Sequence, residues 1–489
     1  MNRTIHRWWR LLAMAICLGA LGGLAACSSV HYPVNAALKS VDSGSGYRMQ
    51  QVVRNPGDEE LFVILTFSGG GTRAAALAYG VLEELARSRI TWRAQQKRLI
   101  DEVDLVYGVS GGSITAAYWA LKGDRTFDDF EPQFLALNLQ SQLIDSATTL
   151  SNLWRLGSNR YGRGELLDAR LDESLFQGAT FADLAQRTQG PFVVISAADL
   201  STGGRFDFTQ DYFDLLCSDL GSFPISRAVA ASSAVPIVFA PITLWNYAGS
   251  CGYRPSKLVA AAADASVPRH LGESREQQRA REMAAFLDVS QKPYIHLVDG
   301  GVADNLAVRS LLEAAEMSGK DESSPRSARP LHIRKLLFIT VDAGTDYSSQ
   351  IGLSADTPKL ASVIEALSDI PVQRFSTETR LLLQAAFQKW RTQPIGGDMP
   401  AGLYTVEVSL RSVVNEQERQ SLMRLPTTLY LPGTEVRLLR ETAARQVRQA
   451  PDFQKLMSEI GVMAPASLSQ SDREALQGPA DETLRIVKP

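Results

Sequence analysis

The segment Gly108-Val109-Ser110-Gly111-Gly112 has the residue types and spacing best suited to chemistry. An apolar run, Val103–Tyr107, leads in, and a helical pattern from Ser113 leads out. In that setting Gly-x-Ser-x-Gly reads as a nucleophile elbow, a tight turn holding its serine in a strained conformation. Gly108 and Gly112 flank it because a β-carbon would clash where the strand reverses into the helix. Ser110 is then exposed at the carboxyl edge of a sheet, at the positive end of the helix. The Gly111 N–H can face a developing oxyanion. Taken alone, the string fits a structural glycine turn equally well.

Two further segments sit at the ends of apolar runs. Ser68-Gly69-Gly70-Gly71-Thr72-Arg73 also follows a strand pattern and opens a helix. Its bare N–H groups suit an anion at a helix N-terminus. A phosphate cradle is one reading, but the P-loop lysine and the Gly-x-Gly-x-x-Gly spacing are missing. An oxyanion hole is the other, each donor contributing roughly 3–4 kcal/mol. Arg73 either braces this loop or meets a phosphate head group, bracing being the expected role. Asp299-Gly300-Gly301 follows the run Tyr294–Val298. A serine hydroxyl needs a base, and Asp299 can serve if it lies within hydrogen-bond reach of Ser110. By itself Asp-Gly is an ordinary turn.

The five histidines do not supply a third member. His6, His31, His270 and His332 lie in leader, tether, charged or loop segments. His296 is three residues before Asp299 in one strand, so the two side chains point to opposite faces, and it reads as a packing residue. No His-Glu-x-x-His string and no paired Cys–His spacing marks a metal site.

Jointly, the order and context of the three segments resemble the patatin-like phospholipases, from about Leu61 to Gly344. The resemblance implies a three-layer α/β/α sandwich around a mainly parallel sheet, cleaving acyl esters of lipids without a cofactor. It makes Ser110 the nucleophile and Asp299 the base of a dyad. Gly69, Gly70, Gly71 and Gly111 form the oxyanion hole, supported by Arg73, Gly108, Gly112, Gly300, Gly301 and Asn305. Ala231-Ser232-Ser233-Ala234-Val235-Pro236 also resembles family positions that shape the site. Three positions depart from the family: Ser68 replaces the usual Asp, Ala74 a frequent Gly, and Leu306-Ala307 a nearby Pro.

The chain has 489 residues, 45% hydrophobic and 21% charged, with a formal net charge of −3. That composition is globular and has no basic excess for nucleic acid. Arg3, Arg7 and Arg10 precede an apolar run, Leu11–Ala25, and then Leu24-Ala25-Ala26-Cys27. This order resembles the lipobox of bacterial lipoprotein precursors, with Cys27 as the lipidated residue; an ordinary secretory signal is the alternative. Cleavage there removes three positive charges and leaves −6. Ser28 after the cysteine resembles cargo for the outer membrane. In an oxidising compartment Cys217 and Cys251 are expected to form a disulfide, with two buried thiols as the alternative.

These readings give a signal peptide over 1–26, a lipidated flexible tether over 27–60 and the catalytic domain over 61–345. A mostly helical C-terminal subdomain over 346–466 and a loose tail over 467–489 follow. Strands are expected at Leu61–Phe67, Val103–Val109, Pro191–Ala197, Tyr294–Val298, Leu336–Val341 and Leu403–Leu410. Helices are expected at Thr72–Arg87, Ser113–Lys122, Leu306–Met317, Pro358–Trp390 and Gly433–Ile460. The insertion Asp124–Gly164, with Phe130, Phe134, Leu143 and Trp154, is either a cap or a substrate lid. Pro255–Lys292 reads as a solvated helical insertion. The expected function is a membrane-anchored lipid acyl hydrolase, with membrane lipids as substrate and anchor. The alternatives are a silent lipid- or protein-binding scaffold, and an esterase or thioesterase of other specificity.

Overall fold

The structure is a computed structural model. It describes residues 35–460 except 50–60, 93–94, 150–151, 153–154, 157–160, 188, 265–272, 318–332, 346–354 and 393–401. Cys27, Trp154, His6, His31, His270 and His332 lie outside the described residues.

The strands of the main sheet form where apolar side chains run on without alternation. Leu61–Phe67 (β1) is buried at every position, so helices must cover both of its faces. A short antiparallel hairpin, Arg89–Trp92 (β2) with Gln95–Arg98 (β3), follows the first long helix, Gly71–Arg87 (α1). Val103–Val109 (β4) lies parallel beside β1, with one register shift at Val63/Ile64. There Asp104 Oδ2 accepts the Val63 N–H at 2.8 Å, replacing the ladder bond that the shift removes. Gly111–Lys122 (α2) leaves the end of β4. Phe192–Asp199 (β5) is the next parallel neighbour, and Arg205–Asp207 (β6) pairs back on it.

Ile242–Trp245 (β7), Tyr294–Val298 (β8), Lys335–Asp342 (β9) and Gly402–Ser409 (β10) complete an eight-stranded sheet among the described residues. Its order is β10-β9-β1-β4-β5-β8-β7. The run from β10 to β5 is parallel. β8 is antiparallel to β5, and β7 to β8. The fold is therefore the expected α/β sandwich with a mainly parallel sheet, but β8 approaches the site from the opposite direction. The expected helix over Leu306–Met317 begins at Arg309, because a short turn of helix at Gly301–Asp304 precedes it.

Three expectations need correction. The polar stretch assigned to a flexible tether is docked over residues 35–49. Tyr47 is buried, stacks on Phe192 at 4.5 Å, and exchanges hydrogen bonds with the backbone of Val193. Arg48 pairs with Asp211 and Asp214. The C-terminal segment is mostly helical, but its strand does not belong to a separate unit. β10 pairs with β9 along its whole length, and Gly433–Gln449 packs lengthwise against α1. A Cβ on Gly80 of α1 would lie 2.4 Å from the Arg440 carbonyl, so the two helices touch backbone to backbone. The charged helix in Pro255–Lys292 is only partly solvated. Arg279 is buried, donates to the Arg205 carbonyl and lies over the Tyr212 ring.

The insertion after Lys122 packs as a cap. Phe130 is buried among Tyr79, Tyr118 and Phe134, with ring centroids 5.1–5.6 Å apart. Cys217 and Cys251 form a disulfide with Cα atoms 5.4 Å apart. The docked N-terminal segment runs along it: Leu38 N–H donates to the Cys217 carbonyl and Val41 N–H to that of Cys251.

One ion network fixes the helix Ile225–Ser232, which leads into the site. Arg227 is fully buried and grips both carboxylate oxygens of Glu165, at 2.5 and 3.0 Å, with Asp168 at 3.2 Å. Removing one partner of such a pair strands the other in low dielectric. Arg227→Ala is expected to lower unfolding stability by about 3–5 kcal/mol, measured as a fall in the urea midpoint.

Candidate active site

The elbow has the strained geometry anticipated for it. Ser110 lies at φ 50°, ψ −127°, one of five non-glycine residues with positive φ among those described. A conformation of this kind costs about 1–3 kcal/mol and persists only where surrounding contacts impose it. Here they do. Ser110 N–H donates to Ser232 Oγ at 2.9 Å, and the Ser110 carbonyl accepts from Ser113 N–H and Oγ. A Cβ on Gly108 would lie 2.7 Å from Ser113 Cα, and one on Gly112 2.5 Å from the Ser68 carbonyl. Both glycines therefore let the elbow and the Gly-rich loop close up.

Asp299 meets the serine directly. Ser110 Oγ donates to Asp299 Oδ2 at 2.7 Å, and Asp299 Oδ1 accepts from Gly301 N–H at 2.8 Å. Both residues are buried. Burial pushes the Asp299 carboxyl from 3.8 up to about 6, against the two hydrogen bonds that lower it. The antiparallel run of β8 explains the meeting. Its carboxyl end falls beside Ser196, which pairs in register with Val109, and a Cβ on Gly300 would lie 2.2 Å from the Ser196 carbonyl.

The Gly-rich loop abuts Ser110. A Cβ on Gly69 would be 3.3 Å from Ser110 Cβ, and one on Gly111 2.0 Å from the Gly71 carbonyl. Of the four N–H groups expected to act as oxyanion donors, one is already engaged. Gly69 N–H already donates to the Asn305 carbonyl at 3.1 Å, so Gly69 is a joint of the loop. The N–H groups of Gly70, Gly71 and Gly111 have no partner among the described residues. Asn305 lies between the two loops, its Oδ1 close to both Gly69 and Gly301. Ser68 takes over the bracing of the missing carboxylate: its Oγ accepts from Ala343 N–H at 2.9 Å and donates to the Gly69 carbonyl at 3.1 Å.

Arg73 braces the loop. Its guanidinium donates to the carbonyls of Ala343 and Leu425 and to Thr427 Oγ1. His296 is not a packing residue. It is exposed on the outer face of β8, its Nδ1 3.0 Å from Thr243 Oγ1.

The segment 231–236, expected to shape the site, does so through the backbone and one hydroxyl. Ser232 Oγ accepts from Ser110 N–H and donates to the Ser196 carbonyl at 2.6 Å. The carbonyls of Ser232 and Ala234 accept from Gly300 and Asp299 N–H at 3.1 and 2.9 Å. One short segment thus fixes the elbow and the carboxylate relative to each other. A cavity of about 490 Å³ lies between the 138–144 and 426–435 segments, lined by Asn138, Ser141, Ile144, Thr428, Tyr430 and Glu435 among others, with no residue of the elbow or the Gly-rich loop in its wall.

A patatin-like phospholipase family model matches residues 65–312, which includes the elbow, the Gly-rich loop and the Asp299 turn. The chain belongs to the patatin-like phospholipase family. No curated protein sequence matches it. Among solved structures, human GIVD cytosolic phospholipase A2 is 13% identical at a TM-score of 0.40, over 86% of this chain and 68% of that one. The same human enzyme with methyl gamma-linolenyl fluorophosphonate is 15% identical, at 0.38, over 84% and 64%. VipD from Legionella pneumophila is 11% identical, at 0.30, over 88% and 71%. Patatin-like membership makes lipid hydrolysis the activity class of this chain.

The raised Asp299 carboxyl makes any reaction that uses it as a base dependent on pH. A base must be ionised to accept a proton, so activity grows as pH rises through its pKa. With Asp299 as base, kcat/KM is expected to fall about tenfold per unit below pH 6 and to level off above it, read from a pH–rate profile between 4 and 8. The same shift means that the folded state binds this proton more tightly than the unfolded one. Ionised Asp299 therefore costs stability, and the cost sets in as pH rises from 3.8 to about 6.

Proposed function

We propose that this protein is a serine lipid acyl hydrolase of phospholipase or lysophospholipase type, with Ser110 as nucleophile and Asp299 as its only base. The observation that carries this reading is the 2.7 Å hydrogen bond from Ser110 Oγ to Asp299 Oδ2. Asp299 takes the Ser110 proton as Oγ attacks the ester carbonyl carbon. The tetrahedral oxygen is received by the N–H groups of Gly70, Gly71 and Gly111, at the positive end of two helices. Asp299 then protonates the leaving alcohol as the ester C–O bond breaks, leaving an acyl-serine. A water gives its proton to Asp299, attacks the acyl carbon and releases the fatty acid, and Ser110 recovers its proton.

The proposal includes a lipid on Cys27 that holds the protein at a bacterial outer membrane. Its basis is the ordered basic segment, apolar run and Leu24-Ala25-Ala26-Cys27. Acyl chains contribute about 0.8 kcal/mol per buried methylene. Asn35 is pinned to the body through Trp245 and Ser218. The residues from Cys27 to Asn35 span at most about 28 Å, so the anchor keeps the site close to its substrate and raises the effective concentration.

The test is fatty-acid release from mixed phospholipid vesicles by the detergent-solubilised mature protein in EDTA. Ser110→Ala and Asp299→Asn are each expected to lose at least ~10³-fold in rate, and Cys27→Ser to lose palmitate labelling and membrane fractionation. A wild type that neither releases fatty acid nor reacts at Ser110 with a fluorophosphonate would replace this reading with a lipid-binding scaffold. Labelling without release would keep the hydrolase and change its substrate.

A further inference from the structure

The matched family region stops at residue 312, yet the Gly-rich loop is held by residues far beyond it. After β10 the chain passes through Glu416–Met423 and returns to the site as the strap Leu425–Tyr430. Thr72 N–H donates to the Thr428 carbonyl at 2.8 Å. Arg73 reaches the Leu425 carbonyl through one guanidinium nitrogen and Thr427 Oγ1 through another, at 3.0 Å. Gly71, at φ 59°, could carry no Cβ, because it would lie 2.3 Å from the Thr428 carbonyl. The strap is in turn fixed downstream by Gly433–Gln449, whose Arg440 grips both oxygens of Glu83 on α1.

We infer that the strap Leu425–Tyr430 is a positioning element of the oxyanion hole, acting through Thr427 and Arg73 on the N–H groups of Gly70 and Gly71. The physical reason lies in the loop itself. Three successive glycines have the greatest conformational freedom of any residues, and a donor is effective only when held within about 0.5 Å of its productive position. Ser68 and Asn305 fix the upstream end of the triplet. Among the described residues, the strap and the Ala343 carbonyl receive the side chain and N–H groups that fix its downstream end. Thr427 is exposed and contributes one side-chain bond, so it can be changed without disturbing the core.

This inference rests on the proposed hydrolase reading, and its test separates the two. Thr427→Val removes the hydroxyl and keeps the shape, while Thr427→Ser keeps the hydroxyl. On a soluble short-chain ester, Thr427→Val is expected to lower kcat about tenfold with KM unchanged, and Thr427→Ser to restore it. Both variants should keep the wild-type melting temperature. Amide hydrogen exchange over Ser68–Ala74 in the full chain should quicken in Thr427→Val and not in Thr427→Ser. Wild-type kcat in Thr427→Val, or an equal loss in Thr427→Ser, would overturn the inference. If the wild type neither hydrolyses an ester nor reacts at Ser110 with a fluorophosphonate, the hydrolase reading fails by itself and exchange decides the strap: a quickened Ser68–Ala74 segment supports it, an unchanged one removes it.

Discussion

The hydrogen bond between Ser110 and Asp299 joins residues 189 positions apart, and the surrounding backbone is arranged to keep it short. Neither residue could hold the other unaided. Ser110 occupies backbone space that serine ordinarily avoids, and Asp299 is a carboxylate placed where ionisation is disfavoured. The resolution is a third segment. Ser232 and Ala234 accept the N–H groups of Gly300 and Asp299 and, through one hydroxyl, the N–H of Ser110. The helix that carries Ser232 is anchored by the fully buried Arg227. A buried ion pair adds little net stability, but it fixes where the helix ends, and the site depends on that position.

The parts legible in the sequence were those governed by local rules. β1, β4 and β8 were readable to the residue because their apolar runs are nearly continuous and glycine-containing turns follow their ends. The elbow, the Gly-rich loop and the Asp299 turn followed from short-range sterics. Long-range pairing was not readable. Nothing local distinguishes β8 running antiparallel from the parallel strand expected, and the short strands β6 and β7 lacked a pattern of their own. β10 was recognised as a strand, but its membership of the main sheet depends on a register with β9 formed across more than sixty residues.

The same distinction explains the corrected roles. Bracing by Arg73 stands as expected, and only its partners were not legible, because two of the three are backbone carbonyls, which any residue supplies. Gly69 looked equivalent to Gly70 and Gly71 until the Asn305 carbonyl was found on its N–H. The stretch 35–49 looked like a tether because it is polar, and its docking depends on a few residues, chiefly Tyr47 and Arg48. In each case the deciding partners are distant in sequence.

The sheet order has a consequence for how the chain is made. β1 leaves the ribosome before the other described strands of the sheet and ends up in its middle, between β4 and β9. One of its edges can be covered early, by β4. The other stays open until Lys335–Asp342 has been synthesised, and all seven positions of β1 are of the kind that is buried in the native state. An open apolar edge is a template for pairing with another chain, and contacts this distant in sequence close slowly. A nascent chain of this protein therefore has a long interval in which its most central strand is also its most adhesive one, and a holding chaperone would act during that interval.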